Sequence, residues 1–291
     1  VASQTISDNG AIMAFLELLT KDLATRKITG NAAKHAVESF FGGLDARQSK
    51  WCMRILLRNL RVGVSETTVN KIWPGAITKF SVQLAESLES RHEPGNGIVI
   101  TGKLNYPVIV EPKLDGLRCI AIKRSGEVTM FTRSGSAIET LPTIKAALEA
   151  APWDDFVLDG EAMGRDWNES ASVVMSHKTA KDDSGMVYNV FDAMHFDEWH
   201  DQNNDTEFQD RVDLVRELVE KVANDRIVQV QGRRVKNQSE LMKFYSETME
   251  KGYEGIMVKS ISAPYRFKRS ESVLKLKPVA TYEGVIVGHY E

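Results

Sequence analysis

The most informative stretch of this chain lies between two predicted strands: Glu111-Pro112-Lys113-Leu114-Asp115-Gly116-Leu117-Arg118. A lysine in this position lies at the end of a strand and faces a cleft, and Gly116 allows a close approach of the backbone. Attack on a phosphorus atom needs the neutral amine, although the pKa of free lysine is ~10.4. Neighbouring positive charge, from Arg118 and a distant pair of lysines, and partial desolvation favour that neutral form. Taken alone, the pattern is also typical of a charged turn, because short patterns recur by chance.

Five further fragments follow this stretch, each at the end or on one face of a predicted strand. In chain order they are Phe131-Thr132-Arg133-Ser134-Gly135, Leu158-Asp159-Gly160-Glu161, Tyr188-Asn189-Val190-Phe191-Asp192, Glu254-Gly255-Ile256-Met257-Val258-Lys259 and Leu274-Lys275-Leu276-Lys277. Side chains alternate along a strand, so Lys275 and Lys277 share one face while the leucines face the core. Each fragment alone has an ordinary explanation, such as a core phenylalanine, a solvated strand face or a surface acid. Their number and order favour a single chemical site.

The sequence around these fragments predicts an α+β domain dominated by antiparallel sheet. Short runs rich in β-branched and aromatic residues predict strands at 108–110, 119–123, 128–132, 156–158, 188–191, 227–230, 256–258 and 273–277. Helical spacing of apolar residues predicts helices at 144–150, 207–222 and 241–251. Thr206, with Gln209 three residues later, predicts a capping box at the start of the second of these helices.

The first ninety residues predict a separate, all-helical domain. Apolar residues recur at helical spacing over 11–23, 32–41 and 45–60. Asp45 and Gln48 form a capping-box pattern ahead of the third helix. Four basic residues spaced four, four and three apart predict a basic stripe on this helix: Lys50, Arg54, Arg58 and Arg61. The stretch 91–106 holds Pro94 and several glycines, and we expect a linker there.

Composition narrows the class of protein. The chain has 291 residues, a net charge of -3 and no apolar run long enough to span a membrane. The start of the chain lacks the pattern of a signal peptide, and the two cysteines have no metal-ligand spacing, so we expect an intracellular protein with reduced thiols. Residues 1–103 carry 13 Lys and Arg against 9 Asp and Glu, whereas the remainder is acidic. This asymmetry suggests two modules with different partners.

Together the six fragments resemble the nucleotidyltransferase motifs of the covalent ligase and capping-enzyme superfamily. The resemblance covers roughly 108–278, and its motifs are specific. It implies a nucleotidyltransferase (adenylation) domain at 107–280, built on antiparallel sheets with flanking helices. It also implies the use of ATP with Mg²⁺ or another divalent cation.

The resemblance implies a role for the residues around the nucleotide. Lys113 would be the nucleophile that forms the phosphoamide with AMP, and Glu111 would help to read adenine through its backbone. Arg118 and Glu161 would hold the ribose or the metal-bound phosphate. Phe191 would stack on adenine.

The resemblance also implies residues for the phosphates and the metal. Glu254, together with Glu161, would support the divalent metal, and Lys275 and Lys277 would hold the α-phosphate. Arg133 would contact the 5′-phosphate at a nick. Metal ions and aligned cations stabilise the negative charge that builds up during nucleotidyl transfer, so the set is chemically coherent.

The front domain indicates which branch of the superfamily this is. The stretch 50–66 (KWCMRILLRNLRVGVSE) resembles the helical DNA-binding domain that precedes the catalytic core in eukaryotic, archaeal and some bacteriophage ATP-dependent DNA ligases. The form EGIMVK at 254–259 is also similar to DNA ligases. The resemblance implies a compact, bacteriophage-like or viral-like enzyme that acts as a monomer on nicked double-stranded DNA. Cations along a duplex backbone would give the sequence-independent binding that such an enzyme needs.

Three alternatives stay open at this point. RNA ligases and RNA-capping guanylyltransferases share the pattern K-x-D-G-x-R, and the capping enzymes use GTP. The third alternative is a non-catalytic nucleic-acid clamp on the same fold. Retention of the full set of site residues argues against a clamp, since binding alone does not need them: Lys113, Glu161, Glu254, Lys275 and Lys277.

The end of the chain departs from the family pattern. Residues 281–291 resemble the first strand of an OB-fold, the domain that carries the final basic motif of the family, and then stop. We therefore expect an absent or truncated OB-fold, a piece of a longer protein, and slow self-adenylation.

Overall fold

The computed structural model describes residues 8–57, 60–73, 80–93, 97–153, 155–175 and 182–278. The chain divides into two compact units between Lys79 and Phe80. This boundary precedes residue 90, the predicted end of the helical domain, because residues 84–87 already pair with the sheet of the second unit. The predicted OB-fold strand at 281–291 lies outside the described residues. Within the described part of the chain, no helix is both long and apolar enough to cross a membrane.

The described residues of the first unit form helices. In chain order these are α1 (Asp8–Glu17), continued by a π-helical segment (Leu18–Leu23), α2 (Gly30–Gly42), α3 (Ala46–Leu56) and α4 (Glu66–Ile72). Phe15 is completely buried, and its ring centroid lies 5.1 Å from that of Phe40 and 5.5 Å from that of Phe41. Aromatic contacts between α1 and α2 therefore contribute much of this small core.

Helix α3 begins as the sequence predicts but ends earlier. The side chain of Asp45 accepts from the N–H of Gln48, and the Gln48 side chain accepts from the N–H of Asp45, which confirms the capping box. The helix ends at Leu56, not near residue 60. Leu57 and Leu60 are 65% and 47% exposed, so burial of their apolar surface does not stabilise a further helical turn.

The predicted basic stripe is therefore wrong as a continuous feature of one helix. Lys50 and Arg54 lie on α3, with Lys50 exposed and the Arg54 guanidinium 4.9 Å from the ring centroid of Trp51. Arg61 lies beyond the helix with a φ of 49°, and Arg58 is outside the described residues.

The second unit is a mixed α+β structure. Its strands are β1 (Leu84–Ser87), β2 (Ser90–Glu93), β3 (Gly97–Ile100), β4 (Val108–Pro112), β5 (Leu117–Arg124), β6 (Glu127–Thr132), β7 (Phe156–Met163), β8 (Val187–His195), β9 (Ile227–Gln229), β10 (Arg233–Val235), β11 (Ile256–Ser260) and β12 (Arg269–Leu276). Its helices are α5 (Pro142–Ala150), α6 (Trp167–Val174), α7 (Phe196–His200), α8 (Phe208–Val222) and α9 (Gln238–Glu250).

Two five-stranded sheets organise this unit. The first has the strand order β1-β12-β11-β4-β10 and the second has the order β6-β5-β7-β8-β9. Neighbouring strands are antiparallel except for the pairs β1–β12 and β8–β9, which confirms the predicted dominance of antiparallel sheet. Strands β2 and β3 pair within the segment predicted as a linker, so part of 91–106 is ordered structure of the second unit.

Helices α5 and α8 cover one face of the second sheet, and the opposite face carries apolar residues that pack against α7 as well as polar groups of the cleft. Ile144 of α5 and Leu218 of α8 pack into the same core as Leu158 of β7. Because side chains alternate along a strand, Asp159 and Glu161 point away from this core. The predicted capping box of α8 is wrong: Glu207 is at the N-cap without a side-chain cap, and Thr206 donates to Glu198 instead.

Candidate active site

A cleft of about 810 Å³ lies between the two five-stranded sheets of the second unit. Residues from both sheets line it, and so do eight of the residues predicted for the site: Glu111, Lys113, Arg118, Arg133, Glu161, Phe191, Lys275 and Lys277. The carboxylate of Glu254, a ninth, pairs with Lys113 and Lys277. The structure therefore brings together residues that are up to 166 positions apart in the sequence.

The backbone around Lys113 continues the pairing of β4 with β11. The N–H of Lys113 donates to the carbonyl of Gly255 at 2.8 Å, and the N–H of Glu254 donates to the carbonyl of Lys113 at 3.3 Å. Gly255 has a φ of 147°, and a Cβ there would lie 2.2 Å from the carbonyl oxygen of Leu276. Glycine at this position lets β11 approach the end of β12, which brings Glu254 beside Lys277.

The Glu254 carboxylate bridges two cations. One oxygen accepts from Nζ of Lys113 and the other from Nζ of Lys277. Partial burial raises the pKa of Glu254, but the hydrogen bonds and charges of the two lysines outweigh burial, and the net pKa is lowered. The Lys113 side chain is 22% exposed, so it remains accessible from the cleft.

Glu161 lies on β7 beside the turn that follows Lys113. Its Oε1 accepts from the N–H of Gly116 at 3.3 Å. Burial raises the pKa of Glu161 to about 7, and the positive charges of Lys113 and Arg118 oppose this rise only in part. Position 116 requires glycine, because a Cβ there would lie 2.6 Å from the carbonyl oxygen of Ala162.

Hydrogen bonds to the Asp159 carboxylate and to the backbone of Gln83 fix the position of Arg118. Its Nε and Nη2 donate to the two oxygens of Asp159 at 2.8 and 2.5 Å, a paired geometry that fixes the guanidinium plane. Its Nη1 donates to the carbonyl of Gln83 at 2.6 Å. The Arg118 guanidinium carbon lies 5.5 Å from the ring centroid of Phe191.

A buried ion pair between Lys259 and Glu111 lies beside Phe191, the proposed base-stacking residue. The sequence motifs did not indicate this pair. Nζ of Lys259 lies 2.7 Å from a carboxylate oxygen of Glu111, and both side chains are at most 6% exposed. The same Nζ lies 4.8 Å from the ring centroid of Phe191 and donates to the Phe191 carbonyl at 3.3 Å. Burial raises the pKa of Glu111, although Lys259 acts in the opposite direction. No pattern in EGIMVK marks Lys259 as buried, because alternation with the buried Ile256 and Val258 would place it on the opposite face of the strand.

The rim of the cleft carries further cations. Arg133 follows β6 and is exposed, and Lys275 of β12 is half-buried. Arg269, at the start of β12, also lines the cleft, although the sequence motifs gave no signal for it. Its Nη1 donates to the carbonyl of Ala85 at 2.5 Å.

Known proteins match this fold and sequence. The family model for the ATP dependent DNA ligase domain matches residues 84–277. The DNA ligase of Enterobacteria phage T4 is 24% identical over 322 residues, which cover 94% of this chain and 64% of the phage protein. This chain therefore spans slightly less than two thirds of the phage ligase.

Solved structures agree with the sequence comparisons. The structure titled Pmar-Lig_PreS3 matches with a TM-score of 0.76 and 28% identity, and it covers 95% of this chain and 64% of that chain. The crystal structure of Chlorella virus DNA ligase-adenylate has a TM-score of 0.52 at 21% identity, over 69% of each chain, a likeness of fold alone. Since the family model spans most of the second unit and includes every residue of the cleft named above except Gln83, this chain belongs to the ATP-dependent DNA ligase family.

Proposed function

We propose that this chain provides the adenylating core of an ATP-dependent DNA ligase, with Lys113 as the residue that carries AMP. The observation that carries the proposal is the placement of Lys113 in the cleft, beside Glu254 and Lys277. Membership of the ligase family and the likeness to the DNA ligase of phage T4 support it. The matched relatives are longer than this chain, so the complete ligase activity is a proposal.

In the first step Nζ of Lys113 attacks the α-phosphorus of ATP. A P–N bond forms and the amine loses one proton to solvent, while the bond between the α-phosphorus and the bridging oxygen to the β-phosphate breaks and pyrophosphate leaves. Lys275 and Lys277 would stabilise the negative charge on the α-phosphate. Phe191 would stack on adenine, with Lys259 fixing the ring from behind.

The carboxylates of the cleft fit a divalent cation such as Mg²⁺. Among the described residues, no group of three or more His, Cys, Asp or Glu is arranged to hold a metal ion. Glu254 and Glu161 instead offer two separate carboxylates near Lys113, and Mg²⁺ is usually held by one or two carboxylates together with substrate phosphates. When bound, the ion would neutralise part of the phosphate charge.

The later steps would use nicked double-stranded DNA. AMP moves from Lys113 to the 5′-phosphate at the nick, and the neighbouring 3′-hydroxyl then displaces AMP to close the strand. Arg133, exposed at the rim of the cleft, would contact the 5′-phosphate. Lys50, Arg54 and Arg61 of the helical unit would bind the duplex backbone. We further propose that the protein acts as a monomer inside the cell.

Labelling with two nucleotides tests this proposal. The protein is incubated with Mg²⁺ and either [α-³²P]ATP or [α-³²P]GTP, and the labelled protein is then chased with nicked DNA or with a nicked RNA duplex. We expect label from ATP only, followed by transfer to the 5′-phosphate of nicked DNA. Label from GTP would indicate a capping-type guanylyltransferase, and transfer only to RNA would indicate an RNA ligase. DNA binding without any label would indicate a non-catalytic clamp.

A further inference from the structure

A buried tyrosine outside the sequence motifs joins Arg118 to the chain that leads into β1. Tyr265 lies between β11 and β12 and is only 1% exposed. Its hydroxyl donates to Oδ2 of Asp159 at 2.7 Å and accepts from the N–H of Gln83 at 3.0 Å. Nη2 of Arg118 lies 3.3 Å from the same oxygen. One hydroxyl therefore contacts all three groups.

Arg118 and Tyr265 hold Gln83 by both of its backbone groups. Arg118 donates to the Gln83 carbonyl, and Tyr265 accepts from the Gln83 N–H. Gln83 immediately precedes β1, which pairs with β12, the strand that carries Lys275. The guanidinium is planar, so bonds to Asp159 and Gln83 at three of its nitrogens fix both its position and its tilt.

The ring of Tyr265 is fixed independently of its hydroxyl. Its centroid lies 4.9 Å from that of Phe267, and the guanidinium carbon of Arg211 lies 5.7 Å from the ring. Burial, and then the charge of Asp159, raise the pKa of Tyr265 well above its usual value, so the hydroxyl stays protonated and can donate. Phenylalanine would keep the ring contacts and remove only the hydroxyl.

We propose that Tyr265 is a positioning residue that, through Asp159 and the Gln83 backbone, holds the Arg118 guanidinium ready for the nucleoside triphosphate. This inference rests on the proposed use of ATP in the cleft. Without the hydroxyl, Oδ2 of Asp159 loses a donor and the N–H of Gln83 loses its acceptor. The Asp159 carboxylate can then turn and take the guanidinium with it.

The chain offers a matched control in Tyr188. Its hydroxyl is also buried in the second sheet, 3.0 Å from the carbonyl of Cys119 and 2.9 Å from that of Leu158. Tyr188→Phe thus removes a buried hydroxyl of the same kind without removing a bond to Asp159, Arg118 or Gln83. Loss of stability alone should affect both variants, whereas loss of Arg118 positioning should affect only Tyr265→Phe.

The test is the Kd for ATP, measured by calorimetry with Mg²⁺ in the Lys113→Ala protein, which cannot form the covalent bond. We expect Tyr265→Phe to weaken ATP binding about tenfold, the scale of one hydrogen bond in a charged network. Tyr188→Phe should change the Kd less than twofold. In an Arg118→Lys background, Tyr265→Phe should add less than a further twofold, because the two residues act through one group.

Two results would overturn the inference. One is an equal change of the Kd in the two phenylalanine variants, and the other is a full additional loss on top of Arg118→Lys. Absence of label from ATP on the protein with an intact Lys113 would instead count against the proposed adenylation. Because non-covalent binding of ATP does not need the nucleophile, the Kd values for ATP judge the role of Tyr265 separately from that labelling.

Discussion

Glu161 carries the pKa shift in the cleft that is easiest to test. Its pKa in the folded protein is about 7, against an ordinary value of 4.5, because burial disfavours the carboxylate. Between these two pH values the unfolded chain has released its proton while the folded protein retains it. The free energy of unfolding therefore falls as the pH rises through this window and levels off above about 7.

Glu161→Gln should remove this pH dependence. The free energy of unfolding is measured with urea, in EDTA and without nucleotide. Relative to the unsubstituted protein, that of the variant should increase by ~1–3 kcal/mol as the pH rises through the window. Glu127→Gln, at an exposed position on β6, is the matched control for the loss of a carboxylate. If the difference between Glu161→Gln and the unsubstituted protein does not change with pH, the carboxyl group is not desolvated in the manner described.

The site residues show what a sequence can and cannot predict at this scale. Lys113, Glu254 and Lys277 were predicted because each lies in a short fragment with a recognisable pattern, and the structure places them together. Tyr265 and Gln83 were missed because their importance depends on contacts across 106 and 182 positions. No local pattern marks such a residue, since its partners are set only by the packing of the sheets.

At the scale of elements, the approach of β11 to β12 depends on Gly255. A Cβ at this residue would lie 2.2 Å from a backbone oxygen of Leu276, and the φ of 147° disfavours any other residue. Gly255→Ala should therefore push the strands apart and separate Glu254 from Lys277. We expect a loss of stability of ~3 kcal/mol or more and at least a tenfold slower adenylation, as for other strained backbone positions near a site.

Gly252 supplies the control for this prediction. Its φ is also positive, at 82°, but nothing lies within 4 Å of the position of a Cβ. Gly252→Ala should cost only the ~1–2 kcal/mol of an unfavourable backbone conformation and leave adenylation intact. Thermal unfolding and single-turnover labelling measure the two effects. Equal behaviour of the two alanine variants would contradict the role assigned to Gly255.

The strands predicted correctly from the sequence are those with a clear local pattern of apolar residues. All eight predicted strands overlap observed ones, since each buries an apolar face that is visible as a run of β-branched or aromatic residues. Strands β1, β2, β3 and β10 were missed because they are only three or four residues long, and β1 is fixed by its parallel pairing with β12. The end of α3 was predicted too late because the apolar residues beyond Leu56 are exposed.

At the scale of the molecule, the helical unit and the cleft have different proposed tasks. Binding of duplex DNA by the helical unit should be driven by phosphate contacts and should weaken with salt. The double variant Lys50→Ala/Arg61→Ala should bind nicked DNA more weakly and lower the slope of log K against log salt by about 1–2, one phosphate contact for each cation lost. Fluorescence anisotropy over a range of salt concentrations measures this slope.

A lysine on another helix of the same unit, Lys34, provides the control for that measurement. Lys34 is an exposed cation on α2 of the same unit and was not predicted to bind DNA. Lys34→Ala should leave the slope unchanged. A slope that falls by the same amount for each cation removed in the two proteins would show that the unit binds DNA through its general charge and not through the residues named.

The most direct test of Lys113 as the residue that carries AMP is the mass of the intact protein after incubation with ATP and Mg²⁺, with peptide mapping of the modified residue. We expect a gain of one adenylyl group on Lys113, reversed by pyrophosphate and absent from Lys113→Ala. Lys145→Ala, which alters an exposed lysine of α5 outside the cleft, should be modified like the unsubstituted protein. An adenylyl group mapped to any other residue, or retained by Lys113→Ala, would show that Lys113 is not the nucleophile.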